Sequence, residues 1–150
     1  MARVSSILSL LIIPVLAYGA NDEKLIVLTF DDGPRPNVLF GISPHTKFSP
    51  PGLLDLLDQC DVKATFFVMG WRLEKTPSAA CRKVGTSTDC RQAAEEIHRR
   101  GHEIENHTFG HGSFKLMKER YGEEWVLKDI ERASVTIRSI TGVSPKYVRP

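Results

Sequence analysis

Short apolar runs alternate along the chain with turn-forming and polar residues, and these runs predict buried strands. The nearly continuous apolar run at residues 25–30 is ended by Asp-Asp-Gly-Pro, and residues 64–68 are rich in β-branched and aromatic side chains. Residues 103–105 predict a third strand, and residues 146–148 predict the beginning of a fourth. The pattern therefore predicts four strands spread over the chain.

Between the predicted strands, apolar residues recur with the spacing of helices. Leucines cluster in residues 52–60, and residues 92–100 predict a short helix that Gly101 ends. A longer amphipathic helix is predicted where apolar residues recur at intervals of four and three positions, and Gly142 ends it. Its apolar stripe consists of Val126, Ile130, Ala133, Ile137 and Ile140. Residues 35–51, rich in proline and glycine, predict a long loop.

The alternation of strand and helix predicts an α/β fold, with a parallel sheet or barrel and helices outside it. In such folds the reactive side chains lie at the carboxyl ends of the strands. Three chemically reactive clusters follow strands in this sequence: Asp31 with Asp32, residues 107–111, and Arg149. Because residue type selected the clusters and apolar pattern selected the strands, their agreement supports a functional site at this edge.

Composition places the chain among ordinary globular domains. The 150 residues are 41% apolar and 25% charged, which suits one domain with a core, and the formal net charge is +2. A nearly neutral chain gives no reason to expect nucleic acid or an anionic membrane surface as a partner.

The first 20 residues have the layout of a signal peptide. Arg3 precedes an apolar stretch at residues 7–16, and the small residues Ala17, Gly19 and Ala20 follow it. The stretch is shorter than the ~20 residues that span a bilayer, so no stable membrane insertion is expected. A buried amino-terminal helix and an uncleaved anchor are the alternatives. We predict a secreted protein, extracellular or in the cell wall, whose domain occupies residues 21–150.

Secretion would expose the cysteines to oxidising conditions, in which pairs form disulfides. Cys81 and Cys90 enclose a polar stretch that contains Gly85, and they are the candidate pair. Cys60 is then left over, which leaves a free thiol, an intermolecular bond or a missing partner as alternatives.

Asp31 and Asp32 are adjacent carboxylates directly after the first predicted strand. Two neighbouring negative charges repel each other unless a cation or a hydrogen-bond donor offsets them. A metal ion at one carboxylate and a proton-transfer task at the other would explain the pair. A simple turn is the alternative, since Asp-Gly-Pro is favourable turn chemistry.

His107 and His111 are four residues apart, a spacing at which a helical turn presents two imidazoles to one metal ion. Together with Asp32 they give three protein ligands and one open position, the composition of a catalytic zinc site. Asp31 is then available to accept a proton from activated water. The zinc-protease pattern requires glutamate after the first histidine, but Thr108 stands there, so that class is disfavoured.

Four stretches of the sequence resemble the polysaccharide deacetylase family, also called carbohydrate esterase family 4 or the NodB-homology domain. They are TFDDGP at residues 29–34, KATFFVMG at 63–70, GHEIENHTFGH at 101–111 and the terminal Arg-Pro, in the family's order. The resemblance covers about residues 25–150. It implies a distorted (β/α) barrel and an enzyme that hydrolyses acetyl groups from polysaccharide, with chitin as the default substrate.

The resemblance also implies roles for individual residues. Asp31 would be the general base, and Arg149 would hold its carboxylate in place. The implied ligands of zinc, or of another divalent metal such as cobalt, are Asp32, His107 and His111. Thr108 would support the histidine turn. Metal-activated water would attack the acetyl carbonyl, and the metal would stabilise the oxyanion.

The main departure from the family lies at the carboxyl terminus. The family supplies a further catalytic histidine and an aromatic-lined acetyl pocket from a later motif, whereas this chain stops within the third motif at Pro150. We therefore expect an incomplete barrel, poorly stable and nearly inactive as the 150-residue chain. Two other functions stay open: an O-acetyl polysaccharide esterase and a non-catalytic carbohydrate-binding relative.

Overall fold

The strands form one parallel sheet. The computed structural model describes residues 25–41, 51–74 and 90–150. Its strands are β1 (Thr29–Gly33), β2 (Thr65–Val68) and β3 (Glu103–Asn106), which lie in the order β1-β2-β3. Both pairings are parallel, with Thr29 opposite Thr65 and Thr65 opposite Glu103. The predicted α/β fold is confirmed, and within the described ranges the sheet is open and does not close into a barrel.

Helices connect the strands, as the alternating pattern predicts. They are α1 (Pro36–Leu39), α2 (Leu53–Gln59), α3 (Cys90–Arg99), α4 (Phe114–Tyr121) and α5 (Glu123–Thr141), with a short 3-10 helix at Gly70–Leu73. The loop predicted at residues 35–51 was wrong in its first part, because Pro36 presets the φ angle of the first turn of α1. α5 ends at Gly142, whose φ of 75° is left-handed as the sequence predicts.

The first strand lies further along the chain than the apolar run predicts. Residues 25–30 were expected to be buried, but Leu25, Ile26 and Val27 are 88%, 85% and 75% exposed, and β1 extends to Gly33. The limits of a strand are set by its hydrogen-bonded partner as well as by its hydrophobicity. Here β2 pairs with the chain from Thr29 onwards, so Asp31 and Asp32 lie within the strand.

The core joins β2 to the helices on either side of it in the sequence. All four residues of β2 are buried, and two of them, Phe66 and Val68, share one apolar cluster with residues of α2, α3, β3 and α5. Its fully inaccessible members are Leu54, Val68, Leu73, Ala93 and Ile97. Each large apolar side chain buried in this way contributes about 1.5–3 kcal/mol to stability. The cluster therefore holds the sheet against the helices that pack on it.

Residues 146–148, predicted to begin a fourth strand, extend the sheet by one isolated parallel bridge between Asn106 and Val148. The N–H of Asn106 donates to the carbonyl of Tyr147 (3.1 Å), and the N–H of Arg149 donates to the carbonyl of Asn106 (2.9 Å). This bridge places Arg149 beside the ends of the other strands.

Some predictions concern residues outside the described ranges. The signal peptide at residues 1–20 and the cysteine Cys81 lie there, so the peptide and the Cys81–Cys90 disulfide stay predictions. Cys60, which the structure does describe, is an exposed free cysteine. In residues 25–41, 51–74 and 90–150, none of the helices combines the length and the apolar character needed to cross a bilayer.

Candidate metal centre

Three candidate metal ligands meet at the carboxyl-terminal end of β1. Asp32 lies in β1, and His107 and His111 lie in the loop that follows β3. The Nε2 atoms of His107 and His111 are 3.2 Å and 3.0 Å from Oδ1 of Asp32. One donor atom from each residue lies within 4.8 Å of the other two. The structure therefore brings together the three candidate ligands that the sequence selects.

A hydrogen bond determines which nitrogen of His107 carries the proton. Its Nδ1 lies 2.7 Å from the carbonyl oxygen of Arg149. A carbonyl oxygen can only accept, so in the neutral ring Nδ1 carries the proton and Nε2 presents its lone pair to Asp32. The side chain of His107 is only 5% exposed, so its surroundings hold the ring in this orientation.

The donor set fits a metal ion. A neutral Nε2 and a carboxylate oxygen are both acceptors, and their close approach is unfavourable unless a proton or a cation lies between them. Two imidazole nitrogens and one carboxylate oxygen suit zinc and similar divalent cations. The side chains of Asp32 and His111 are 39% and 47% exposed, so one side of the group of candidate ligands is open to solvent.

Asn106 and Thr108 determine the path of the loop that carries both histidines. Asn106 is fully buried, and its Oδ1 accepts the N–H of Thr108 at 2.7 Å. Its Nδ2 donates to the carbonyl of Ile130 and to Oγ of Ser134 in α5, both at 2.8 Å. Oγ1 of Thr108 accepts the N–H of His111 at 2.9 Å. The loop is therefore tied both to itself and to α5.

A carboxylate of α5 and a glycine after β2 enclose the same loop. Asp129 accepts the N–H groups of Phe109 (2.9 Å) and Gly110 (3.1 Å). From the other side, the N–H of Gly70 donates to the carbonyl of Thr108 at 3.0 Å. A Cβ at Gly70 would lie 2.6 Å from the ring atom Cδ2 of Phe109 and 3.0 Å from Cα of Ala133, so the packing at this position requires glycine.

Three residues of the site adopt a left-handed backbone that side chains disfavour. The φ angles are 59° for Asp32, 60° for Thr108 and 56° for His111. Such conformations cost about 1–3 kcal/mol each and persist only where the surroundings enforce them. The hydrogen bonds of the loop supply that enforcement at Thr108 and His111, so the position of His111 is held against a local backbone preference.

Asp31 and Arg149 form a pair beside the three ligands. Nη1 of Arg149 donates to Oδ1 of Asp31 at 2.8 Å and to Oγ1 of Thr29 at 3.0 Å. The guanidinium lies over the ring of Phe67, 4.0 Å from its centroid, a cation–π contact. The Asp31 carboxylate is therefore oriented, and it remains 44% exposed.

Two further arginines add positive charge near Asp32. Nη2 of Arg35 donates to Oδ2 of Asp32 at 3.3 Å. Burial, followed by the charge of Arg35, lowers the pKa of the Arg72 guanidinium, and the charge of Asp32 acts in the opposite direction. These cations offset part of the repulsion between the two adjacent aspartates.

Sequence reasoning did not find every residue that shapes the site. Asn106 and Glu105 lie inside a stretch that carries the family resemblance, yet neither has a recognisable ligand spacing. Asp129 follows the loop by about 20 residues, and nothing in its helical context distinguishes it from a solvated acidic residue. Their contacts depend on how α5 and the loop pack, which a local pattern does not encode.

Comparison with known proteins defines the class. The family profile described as polysaccharide deacetylase matches residues 18–150. The chain belongs to the polysaccharide deacetylase family.

Curated relatives include enzymes from bacteria and fungi. A peptidoglycan-N-acetylglucosamine deacetylase of Bacillus cereus is 31% identical over 132 residues, which are 88% of this chain and 38% of the relative. A chitin deacetylase of Colletotrichum lindemuthianum is 32% identical over 129 residues, covering 83% of this chain and 40% of the relative. The chain thus spans about two fifths of the length of these relatives.

Solved structures of carbohydrate esterases and deacetylases also resemble this chain. A family 4 acetyl xylan esterase from Clostridium thermocellum, determined with a cobalt ion, matches with a TM-score of 0.60 and 28% identity. The match covers 85% of this chain and 48% of the esterase chain. The peptidoglycan deacetylase PdaC of Bacillus subtilis also has a TM-score of 0.60, with 29% identity over 86% of this chain and 50% of PdaC.

Proposed function

We propose that this protein is a metal-dependent hydrolase that removes acetyl groups from N-acetylated, chitin-like polysaccharide. The observation that carries the proposal is the group of Asp32, His107 and His111, with the Asp31–Arg149 pair beside it. Family membership and the named activities of the relatives support a polysaccharide deacetylase. The chain covers only part of those relatives, so the proposal concerns the complete protein.

The residues of this chain have distinct tasks in that reaction. Asp32 and the Nε2 atoms of His107 and His111 hold a divalent cation, zinc or a substitute such as cobalt. When bound, that cation supplies a Lewis acid that activates water and stabilises negative charge. Asp31 accepts the proton of the attacking water as general base.

The remaining site residues act by orientation. Arg149 fixes the carboxylate of Asp31 through the 2.8 Å hydrogen bond and, through its carbonyl, the ring of His107. Thr108 supports the histidine turn by accepting the N–H of His111. Prearranged groups of this kind avoid the cost of reorganisation during the reaction.

The same proposal extends to the fold and the location of the complete protein. We propose that the parallel sheet is part of the distorted (β/α) barrel of this family. We also propose that residues 1–20 are a signal peptide and that the enzyme works outside the cell or in the cell wall. Its substrate there is an acetylated polysaccharide.

An O-acetyl esterase is the second candidate. The acetyl xylan esterase of Clostridium thermocellum favours it, because that enzyme has a similar structure and acts on an ester-linked substrate. Hydrolysis of an ester and of an amide both need activated water and a base, so the described site suits either. A non-catalytic carbohydrate-binding role is less well supported, because binding alone does not require the three ligands and the base.

Acetate release tests these candidates. The protein expressed from its complete transcript, and the 150-residue chain beside it, are incubated with chitin oligosaccharides and with acetylated xylan. A metal-dependent enzyme loses activity with a chelator and recovers it with zinc. Asp31→Asn should abolish turnover while zinc binding is retained, and Asp61→Asn is the matched control, because Asp61 is exposed and lies in the turn before the amino-terminal end of β2.

The pattern of results separates the three functions. Faster release from the amide-linked sugar supports the deacetylase, and faster release from xylan supports the esterase. Binding of either polymer without any acetate release by the complete protein would refute both enzymatic functions. Equal activity of the wild type and Asp31→Asn would refute only the role of Asp31 as general base.

A further inference from the structure

Glu105 is a buried carboxylate that the proposed reaction does not use. It lies in β3 and is only 3% exposed. A buried carboxylate is unfavourable unless hydrogen bonds or a cation compensate for its lost hydration. The compensation comes from the backbone: Oε2 of Glu105 accepts the N–H of Lys146 at 2.7 Å and the N–H of Tyr147 at 2.8 Å.

These two hydrogen bonds attach the residues that lead to Arg149. Residues 146–149 join β3 through the isolated bridge at Asn106, which contributes one hydrogen bond to Tyr147 and one from Arg149. Glu105 therefore supplies as many bonds to the segment as the backbone of β3 does. Tyr147 is 60% exposed and Val148 is 43% exposed, so burial of side chains contributes little to holding this segment.

The segment leads directly to Arg149, which contacts two parts of the site. Its carbonyl accepts the proton of Nδ1 of His107 at 2.7 Å, and its guanidinium donates to Asp31 at 2.8 Å. A shift of the segment by 1 Å would lengthen both hydrogen bonds beyond their favourable range of about 2.7–3.2 Å.

We propose that Glu105 is a positioning residue of the site, which acts on His107 and Asp31 by fixing the backbone that carries Arg149. The consequence for turnover rests on the proposed function, whereas the consequence for His107 does not. Within the described residues, Glu105 forms its hydrogen bonds with Lys146 and Tyr147 and not with the candidate ligands or the base, so its effect passes through Arg149.

Two substitutions of Glu105 should weaken its hydrogen bonds to different extents, and a substitution of Glu103 serves as the control. Glu105→Ala removes the acceptor for both N–H groups. Glu105→Gln keeps a neutral amide oxygen that can accept them more weakly. Glu103→Ala is the matched control, because Glu103 lies two residues earlier in β3, is exposed, and within the described residues accepts a side-chain hydrogen bond from Oγ1 of Thr65.

The first measurement is independent of activity. NMR of histidine-labelled protein follows the proton on Nδ1 of His107, and calorimetric titration with zinc gives the affinity of the ligand group. Glu105→Ala should lose the slowly exchanging proton signal and bind zinc about tenfold more weakly, with Glu105→Gln in between and Glu103→Ala unchanged. An unchanged signal and affinity in Glu105→Ala would overturn the proposal. If Glu105→Ala does not fold, Glu105→Gln decides in the same way.

The second measurement asks whether the effect passes through Arg149. In acetate-release assays with the complete protein, Glu105→Gln should lower kcat more than it changes KM. The loss should shrink in an Arg149→Lys background, because residues that act as a unit are not additive. Equal losses in the two backgrounds would overturn the route through Arg149. If the wild type releases no acetate, the proposed function fails, and the NMR and zinc titrations still decide the role of Glu105.

Discussion

Replacing Thr108 by valine tests whether one hydroxyl holds the second histidine in place. Thr108 is fully buried, its Oγ1 accepts the N–H of His111 at 2.9 Å, and its backbone is left-handed with φ of 60°. Valine has the same shape and the same β-branch, so Thr108→Val keeps the packing and the backbone strain but removes the acceptor. Thr108→Ser is the matched control, because it keeps the hydroxyl and loses only a methyl group.

The size of the effect follows from the groups left without partners. A buried N–H that loses its acceptor costs about 1–3 kcal/mol, and the N–H of His111 is only partly buried, which places the cost near the lower end at about 1–2 kcal/mol. Serine loses about 0.8 kcal/mol of methyl burial. Its unbranched side chain relieves part of the backbone strain at φ of 60°, which offsets some of that loss. We therefore expect Thr108→Val to be the less stable variant.

Two assays on the same samples check this reasoning. Denaturant unfolding gives the stability of each variant, and zinc titration gives the affinity of the ligand group. Thr108→Val should bind zinc about tenfold more weakly than the wild type, as residues supporting metal ligands generally do when removed, whereas Thr108→Ser should stay close to it. Retention of both properties by Thr108→Val, or an equally large loss in Thr108→Ser, would refute this role of the Thr108 hydroxyl.

Two other changes test the packing around the loop and a buried histidine. Gly70→Ala places a methyl group 2.6 Å from Cδ2 of Phe109 and 3.0 Å from Cα of Ala133, so it should cost about 1–3 kcal/mol in denaturant unfolding; unchanged stability would contradict this packing. Burial, and next the charge of Lys63, lowers the pKa of His102 from its ordinary 6.5. The unfolded chain therefore binds more protons near pH 6, and the free energy of unfolding should fall as the pH drops below about 6.5. His102→Asn should flatten this pH dependence in unfolding curves recorded from pH 7.5 to 5. An equally steep pH dependence in His102→Asn would show that His102 is not its source.

The sequence predicts the elements whose pattern is local. β2 and β3 lie within one residue of the predicted strands, and α5 ends at the predicted glycine, because apolar spacing and a left-handed cap are properties of neighbouring residues. β1 is different, since its limits depend on its pairing with β2, and the apolar residues that precede it are exposed.

The candidate ligands were predictable because their chemistry is visible in residue type and spacing. Asp32, His107 and His111 do converge. Their supports were not predictable, because Asn106 and Asp129 resemble ordinary polar residues until α5 packs against the loop. The proton position on His107 was equally hidden, since it depends on a carbonyl 42 residues away.

Residues that contact each other in the site are far apart in the sequence, and this separation affects the order in which their contacts form. Asp31 and Arg149 are 118 residues apart, and Asp32 and His107 are 75 apart. Closing such long loops is entropically unfavourable and follows the formation of shorter contacts. A ribosome has therefore synthesised every residue from Asp31 to Arg149 before the last contact of the site can form. The reverse holds during unfolding: the exposed segment that bears Arg149 opens at a lower free energy than the buried centre of the sheet, so the site comes apart while the core is still intact.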